Sequence, residues 1–176
     1  MPKPLDADGL MLFAAKALSA RPLTISELRE KLKRRAAQPT EVDEVLVRLK
    51  DSGYLNDQRF ADSYASWRRD DGGFGKTRVL RDLMARKVAP ALAIQAAESA
   101  YQGADEVAMI EQFLARKYRG KDLGALLREQ KHLAAAYRKL RTSGFSTGNS
   151  VKVLKRYAAE AELLEDTESD DGAGVG

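Results

Sequence analysis

The sequence predicts an all-α fold: tandem three-helix units forming an elongated, curved body. Three observations carry this expectation. The chain overlays on itself, since "SELREKLKRRAAQPTEVDEVLVRL" matches "TRVLRDLMARKVAPALAIQAAESA" at an offset of 51 residues, placing Leu28 on Val79, Leu32 on Leu83 and Leu46 on Ala97. A further offset of 57 lays "YRKLRTSGFSTGNSVKVLKRY" over the same pattern, with Leu140 on Leu83 and Phe145 on Val88. Apolar residues elsewhere recur three and four apart, whereas the alternation of a half-buried strand never persists. Much of the 44% hydrophobic content is alanine, which buries little area per residue and suits thin helical layers.

The overlay divides the chain into a flexible N-terminus (1–9), three units (10–53, 54–103 and 104–164) and a tail (165–176). In the first unit a helix is expected from about Leu10 to Leu18. A second follows Thr24, whose spacing to Glu27 is that of a capping box. Pro39 opens a third, which runs through Leu49 and stops at Gly53. Leu28 with Leu32, and Val42 with Val45, Leu46 and Leu49, mark the buried faces, and Glu27 is placed to pair with Lys31 one turn on.

The second unit begins at Asp57, read as the cap of "QRFADSYASWRRD". Phe60, Tyr64 and Trp67 form a stripe at helical spacing, read mainly as core, while Gly72 and Gly73 end the helix. A basic helix runs from about Lys76 to Arg86, and Pro90 starts the next, through Ala100. The third unit is expected as helices from Asp105 to Tyr118, from about Leu123 to Arg141 and from Thr147 to about Leu164. Phe74 and Phe145 flank glycines and are read as plugs between helices, and Tyr54 is left open between core and surface, since its turn could expose the hydroxyl.

Composition narrows the chemistry. There is no cysteine and a single histidine, His132, so disulfides and thiolate or Cys/His zinc sites are unavailable. No apolar run approaches a membrane span and the start lacks an export signal, which points to the cytoplasm. All 30 Lys and Arg residues lie at or before Arg156, while seven of the 26 Asp and Glu residues fall within 160–171, leaving residues 1–159 at +11. Such a body attracts a polyanion, nucleic acid or nucleoprotein above all. The tail, "EDTESDDGAGVG", reads as disordered and like-charged, suited to shielding the basic body from non-specific partners.

The stretch "GGFGKTRVLRDLMARK" raises the question of a phosphate loop. Gly75, Lys76 and Thr77 supply the last three positions of that signature, but its first glycine is replaced by Asp70 and no strand-like run leads in. No nucleophile, base and orienting group are spaced for catalysis, so the chain is expected to be no enzyme, with no catalytic residue, no metal and no cofactor. Asp57, Asp62, Asp70 and Asp71 are read as a cap and turn residues in preference to a cation site, and His132 as a helix-surface histidine.

Basic residues are the better candidates for contact. On the central basic helix Arg78, Arg81 and Arg86 lie opposite Val79 and Leu83, with Lys76 at its start and Arg68 and Arg69 extending the patch. Arginine offers a planar donor fork to phosphate or carboxylate. Lys31, Arg34 and Arg35 occupy the equivalent region of the first unit, and Arg116, Lys117, Arg119 and Lys121 precede the last middle helix. The competing reading is favourable charge at helix C-termini. Three-helix units with a basic helix also resemble helix-turn-helix DNA readers, but no unit carries Asn, Gln and Arg at base-reading spacing.

"SGYLNDQRFADSYASWRR" (52–69) followed by "GFGKTRVLRDLMARKV" (73–88) resembles the central signature of the RecX regulatory family, modulators of the bacterial RecA recombinase. The resemblance covers about residues 10–157. On it, the motif positions are Gly53, Tyr54, Leu55, Asn56, Asp57, Arg59, Phe60, Ala61, Tyr64, Arg68, Gly73, Gly75, Arg78, Leu80, Leu83 and Val88, mostly architectural, with the arginines as binding candidates. It implies a monomer of tandem three-helix repeats that binds RecA and its filaments on single-stranded DNA. It also implies inhibition of strand exchange, ATP hydrolysis and coprotease activity. A general DNA-binding module, with weak affinity for single or double strands, and a protein-binding scaffold are the alternatives. The chain departs from the family pattern at Lys87, where glycine is frequent, and at "RRAAQ", where "KGF" or "KGY" is usual; Gly144 and Phe145 keep that turn.

Overall fold

A computed structural model describes residues 3–158 together with 161 and 164. Among these residues the protein is all-α, with ten helices and no strand: α1 (Ala7–Ala20), α2 (Ile25–Lys33), α3 (Pro39–Asp51), α4 (Asp57–Asp70), α5 (Lys76–Ala85), α6 (Pro90–Tyr101), α7 (Glu106–Lys117), α8 (Leu123–Leu126), α9 (Gln130–Thr142) and α10 (Thr147–Leu154). The acidic segment 165–176, and the end of the helix expected to reach Leu164, lie outside the described residues apart from Ala161 and Leu164.

Local chemistry sets the helix starts. Thr24 accepts the Glu27 N–H at 3.1 Å while Glu27 accepts the Thr24 N–H at 3.1 Å, completing the expected capping box. Such caps contribute about 1 kcal/mol each. The first helix starts three residues earlier than its apolar pattern implied, because Asp6 accepts the Gly9 N–H at 2.9 Å. Leu5, placed by the sequence reading in a flexible terminus, exchanges backbone bonds with the turn after α2, donating to Arg35 O at 2.7 Å and accepting from Ala37 N at 2.8 Å.

Two further expectations are corrected. Asn56, not Asp57, caps α4, with its side chain accepting the Arg59 N–H at 2.9 Å. Asp57 instead accepts the N–H of Ile25, the first residue of α2, at 2.8 Å. Burial pushes the Asp57 carboxyl above its ordinary range, and Glu27 adds to this against the lowering by the Ile25 N–H. The long middle helix expected from Leu123 to Arg141 is two helices, since Asp122 caps the four-residue α8 by accepting from Ala125 N and a turn separates it from α9.

The helices group into two compact units, one comprising Met1–Ser66 with Leu80–Ala100, the other Trp67–Val79 with Tyr101–Gly176. In the first, α1, α2 and α3 pack on one another around Leu10, Leu28, Leu32, Val42, Leu46 and Leu55. The Leu28/Leu32 pair on α2 and the Val42/Val45/Leu46/Leu49 set on α3 are all buried, as their spacing requires. In the second, α10 packs on α7 and α9 around Ile110, Leu114, Leu140, Phe145 and Leu154. Phe145 is fully buried, edge-on to Phe113 with centroids 5.5 Å apart, which fulfils its expected plugging role. Glu106 on α7 fastens the start of α10, accepting Ser146 N at 2.9 Å together with the Ser146 hydroxyl and the Asn149 amide.

Candidate nucleic-acid and partner interface

Gly73 and Gly75, either side of Phe74, build a docking edge in the second unit. Gly75 N donates to Ser143 O at 2.8 Å and Thr77 N to Gly144 O at 3.2 Å. The approach is closed to side chains: a Cβ on Gly75 would sit 2.2 Å from Gly144 O, and one on Gly144 2.3 Å from Arg78 N. The amides that a phosphate loop would turn to an anion therefore point at carbonyls, and the glycines serve backbone packing.

Phe74, carried between those glycines, is half-buried under two guanidiniums. Arg68 lies 4.1 Å from its ring centre and Arg78 5.5 Å. Each such contact is worth roughly 0.5–1 kcal/mol where exposed. Arg68 also covers Trp67, 5.6 Å away, and Arg78 donates to Thr142 O at 3.3 Å. Beneath them the Tyr101 hydroxyl donates to Phe74 O. Burial pushes the Tyr101 phenol up to about 12, although Arg69 and Arg68 pull the other way, so it remains a donor at neutral pH.

The third cluster of the sequence reading joins this surface. Arg116, at the end of α7, donates to Gly72 O at 3.0 Å and lies against the open face of Gly73. Lys117 next to it meets Lys139 of α9, whose ammonium is held below the ordinary lysine range first by desolvation and then by the Lys117 charge. The two ammonium charges repel one another. Lys139 escaped the sequence reading because nothing local links residue 139 to residue 117. Lys76 and Arg119 are exposed in the same unit. Arg69 instead forms a two-pronged pair with Asp70, at 2.7 and 3.0 Å, which holds the Asp70 carboxyl below its usual range.

In the first unit the candidates separate into surface and scaffold. Lys31, Arg34 and Arg81 are exposed, while Arg35 is half-buried over the Phe13 ring at 5.2 Å. Arg86 is a strut: its Nε donates to Glu27 Oε1 at 3.0 Å, its guanidinium covers Phe60 and Tyr64 at 4.9 and 5.3 Å, and its carbonyl accepts the Thr24 hydroxyl at 2.9 Å. Glu27 thus pairs with Arg86 and Arg21, not with Lys31. Tyr64 completes the cluster by donating to Asp82 at 3.2 Å.

Several motif residues hold the scaffold by position. Leu55, Phe60 and Leu83 are buried, Gly53 adopts φ +74°, and Arg59 donates to Gly53 O at 2.8 Å. Tyr54 is exposed, which settles its ambiguous pattern, whereas Trp67, expected in the core with Phe60 and Tyr64, is 52% exposed. The four aspartates disperse: Asp57 to Ile25, Asp62 to Gln58, Asp70 to Arg69, and Asp71 to an exposed turn position. Among the described residues no group of three or more acidic or histidine side chains is disposed to hold a metal ion. His132 lies 3.4 Å from Glu129 on the surface of α9.

These helices and surfaces define a small all-helical protein that presents arginine, lysine and exposed aromatic side chains. Residues 56–96 match the family model described as the second three-helix domain of RecX. The regulatory protein RecX of Deinococcus radiodurans is 34% identical over 164 residues, covering 93% of this chain and 74% of the relative. That of Trichlorobacter lovleyi is 32% identical over 111 residues, or 63% of this chain and 72% of the relative. The crystal structure of RecX from Lactobacillus salivarius shares the fold, with a TM-score of 0.61 at 20% identity over 90% of this chain and 97% of that one. A second crystal structure of a RecX protein gives 0.64 at 18% identity, covering 84% and 72%. The chain belongs to the RecX family of regulatory proteins.

Proposed function

We propose that this protein binds RecA and RecA filaments on single-stranded DNA and modulates them, chiefly by inhibiting strand exchange, ATP turnover and coprotease activity. The observation that carries the reading is family kinship over 93% of the chain. The +11 balance of residues 1–159 supplies the polyanion attraction such a target requires. The protein acts in the cytoplasm as a monomer of three helical repeats, at about 10–53, 54–103 and 104–164, without catalysis or cofactor. Arg78 and Arg81, with the lysines around Arg116, engage filament or DNA backbone, and electrostatics supplies steering while surface shape supplies selectivity. Occupying the filament blocks duplex access or restrains the subunit motions tied to ATP turnover.

Titration against free DNA, free RecA and assembled filament tests this. Tighter binding to filament than to either component is expected, with weakening when Arg78 and Arg81 are changed together to alanine. Equal affinity for naked DNA and filament would show a general DNA-binding module, and undiminished filament binding by the double variant would remove those arginines from the interface.

A further inference from the structure

Trp67 departs most from its sequence pattern. It continues the Phe60/Tyr64 stripe by spacing, yet it is 52% exposed, while Phe60 is 8% exposed. It also ends a run of alternating planar groups: Trp67, the Arg68 guanidinium at 5.6 Å, the Phe74 ring at 4.1 Å from that guanidinium, and Arg78 at 5.5 Å on Phe74. Phe74 is fixed from below by Tyr101 and on both sides by the glycine docking, so the run is anchored at its inner end. An exposed indole beside guanidiniums is the arrangement by which proteins stack an unpaired base while cations take the flanking phosphates.

We infer that Trp67 is a base-stacking platform for single-stranded nucleic acid, with Arg68 and Arg78 reading the adjoining phosphates. This rests on the nucleic-acid contact in the function proposed above and names the ligand group that the surface takes. Duplex DNA, whose bases are already stacked, is a poor occupant; an unpaired pyrimidine strand is a good one.

The test uses the full chain without RecA, and the fact that Trp67 is the only tryptophan makes its emission report on one position. Oligothymidylate should quench that emission, whereas an abasic phosphodiester strand of equal length should bind through charge and leave it unchanged. Trp67→Ala should weaken oligothymidylate binding, followed by anisotropy of a labelled strand, roughly 5- to 150-fold, and leave abasic-strand binding and its salt dependence intact. Trp67→Phe should recover most of the loss and controls for folding. Unchanged emission at saturating oligothymidylate, or equal loss for both strands in Trp67→Ala, would overturn stacking and leave the phosphate contacts standing. Absence of binding to either strand at low salt would remove nucleic-acid contact altogether, and emission that responds only to RecA would reassign Trp67 to a protein contact.

Discussion

Lys87 is the one non-glycine among the described residues with a left-handed backbone, at φ +63°. It follows α5, where Val88 N reaches back to Leu83 O at 3.1 Å and Lys87 N to Met84 O at 2.9 Å, closing the helix in the manner that a glycine performs without strain. The departure from the family pattern therefore changes the residue and keeps the turn. A side chain in this region costs roughly 1–2 kcal/mol, partly offset by the greater chain entropy of glycine when unfolded. Lys87→Gly should raise the thermal midpoint by about 2 °C, read by calorimetry. The same scale explains what was legible beforehand. The Thr24 and Glu27 box was visible because both residues lie within one turn, but the pairing of Glu27 with Arg86 joins positions 59 apart. Arg86 looked like a surface arginine for that reason, and Asp57 like a local cap.

At the scale of elements, the start of α5 and the turn between α9 and α10 meet backbone to backbone. Gly144 carries φ +91° and its added methyl would lie 2.5 Å from the Arg78 Cβ, so Gly144→Ala meets both conformational strain and overpacking. A loss of at least about 3 kcal/mol is expected from denaturant unfolding, from strain and steric terms together. Gly148→Ala is the control: nothing lies within 4 Å of its added methyl, and in a helix it should stabilise by up to about 1 kcal/mol. Helix existence and buried faces were readable from 3–4 periodicity and caps. Element ends were not where a partner distant in sequence decides them, as for Leu5 against the turn after α2. Trp67 was misread because helical spacing places a residue on a face without saying how far along the helix that face stays covered.

For the whole molecule, charge is the property most open to manipulation. Ala161 and Leu164 are buried in the core of the second unit, so a chain ended after Leu164 keeps that core and loses Glu165, Asp166, Glu168, Asp170 and Asp171. If the acidic segment competes with polyanions for the basic surface, DNA affinity of the shortened chain should rise several-fold at low salt. The gain should vanish near 1 M, where screening reaches about 3 Å. Equal affinities of both chains at low salt would count against competition. The net +11 of residues 1–159 was legible in the sequence, but which cations converge was not: the Arg68/Phe74/Arg78 run and the Lys117–Lys139 pair draw on segments far apart in the chain.

The carbonyls of residues 143 and 144 have one more implication, for dissection. A fragment limited to 56–96 would contain the motif from Asn56 to Val88 and still leave the opening amides of α5 facing water, because their acceptors arrive some seventy residues later. The central signature is thus not a detachable cassette, and grafting or expressing it alone should yield a helix that frays from its glycine end.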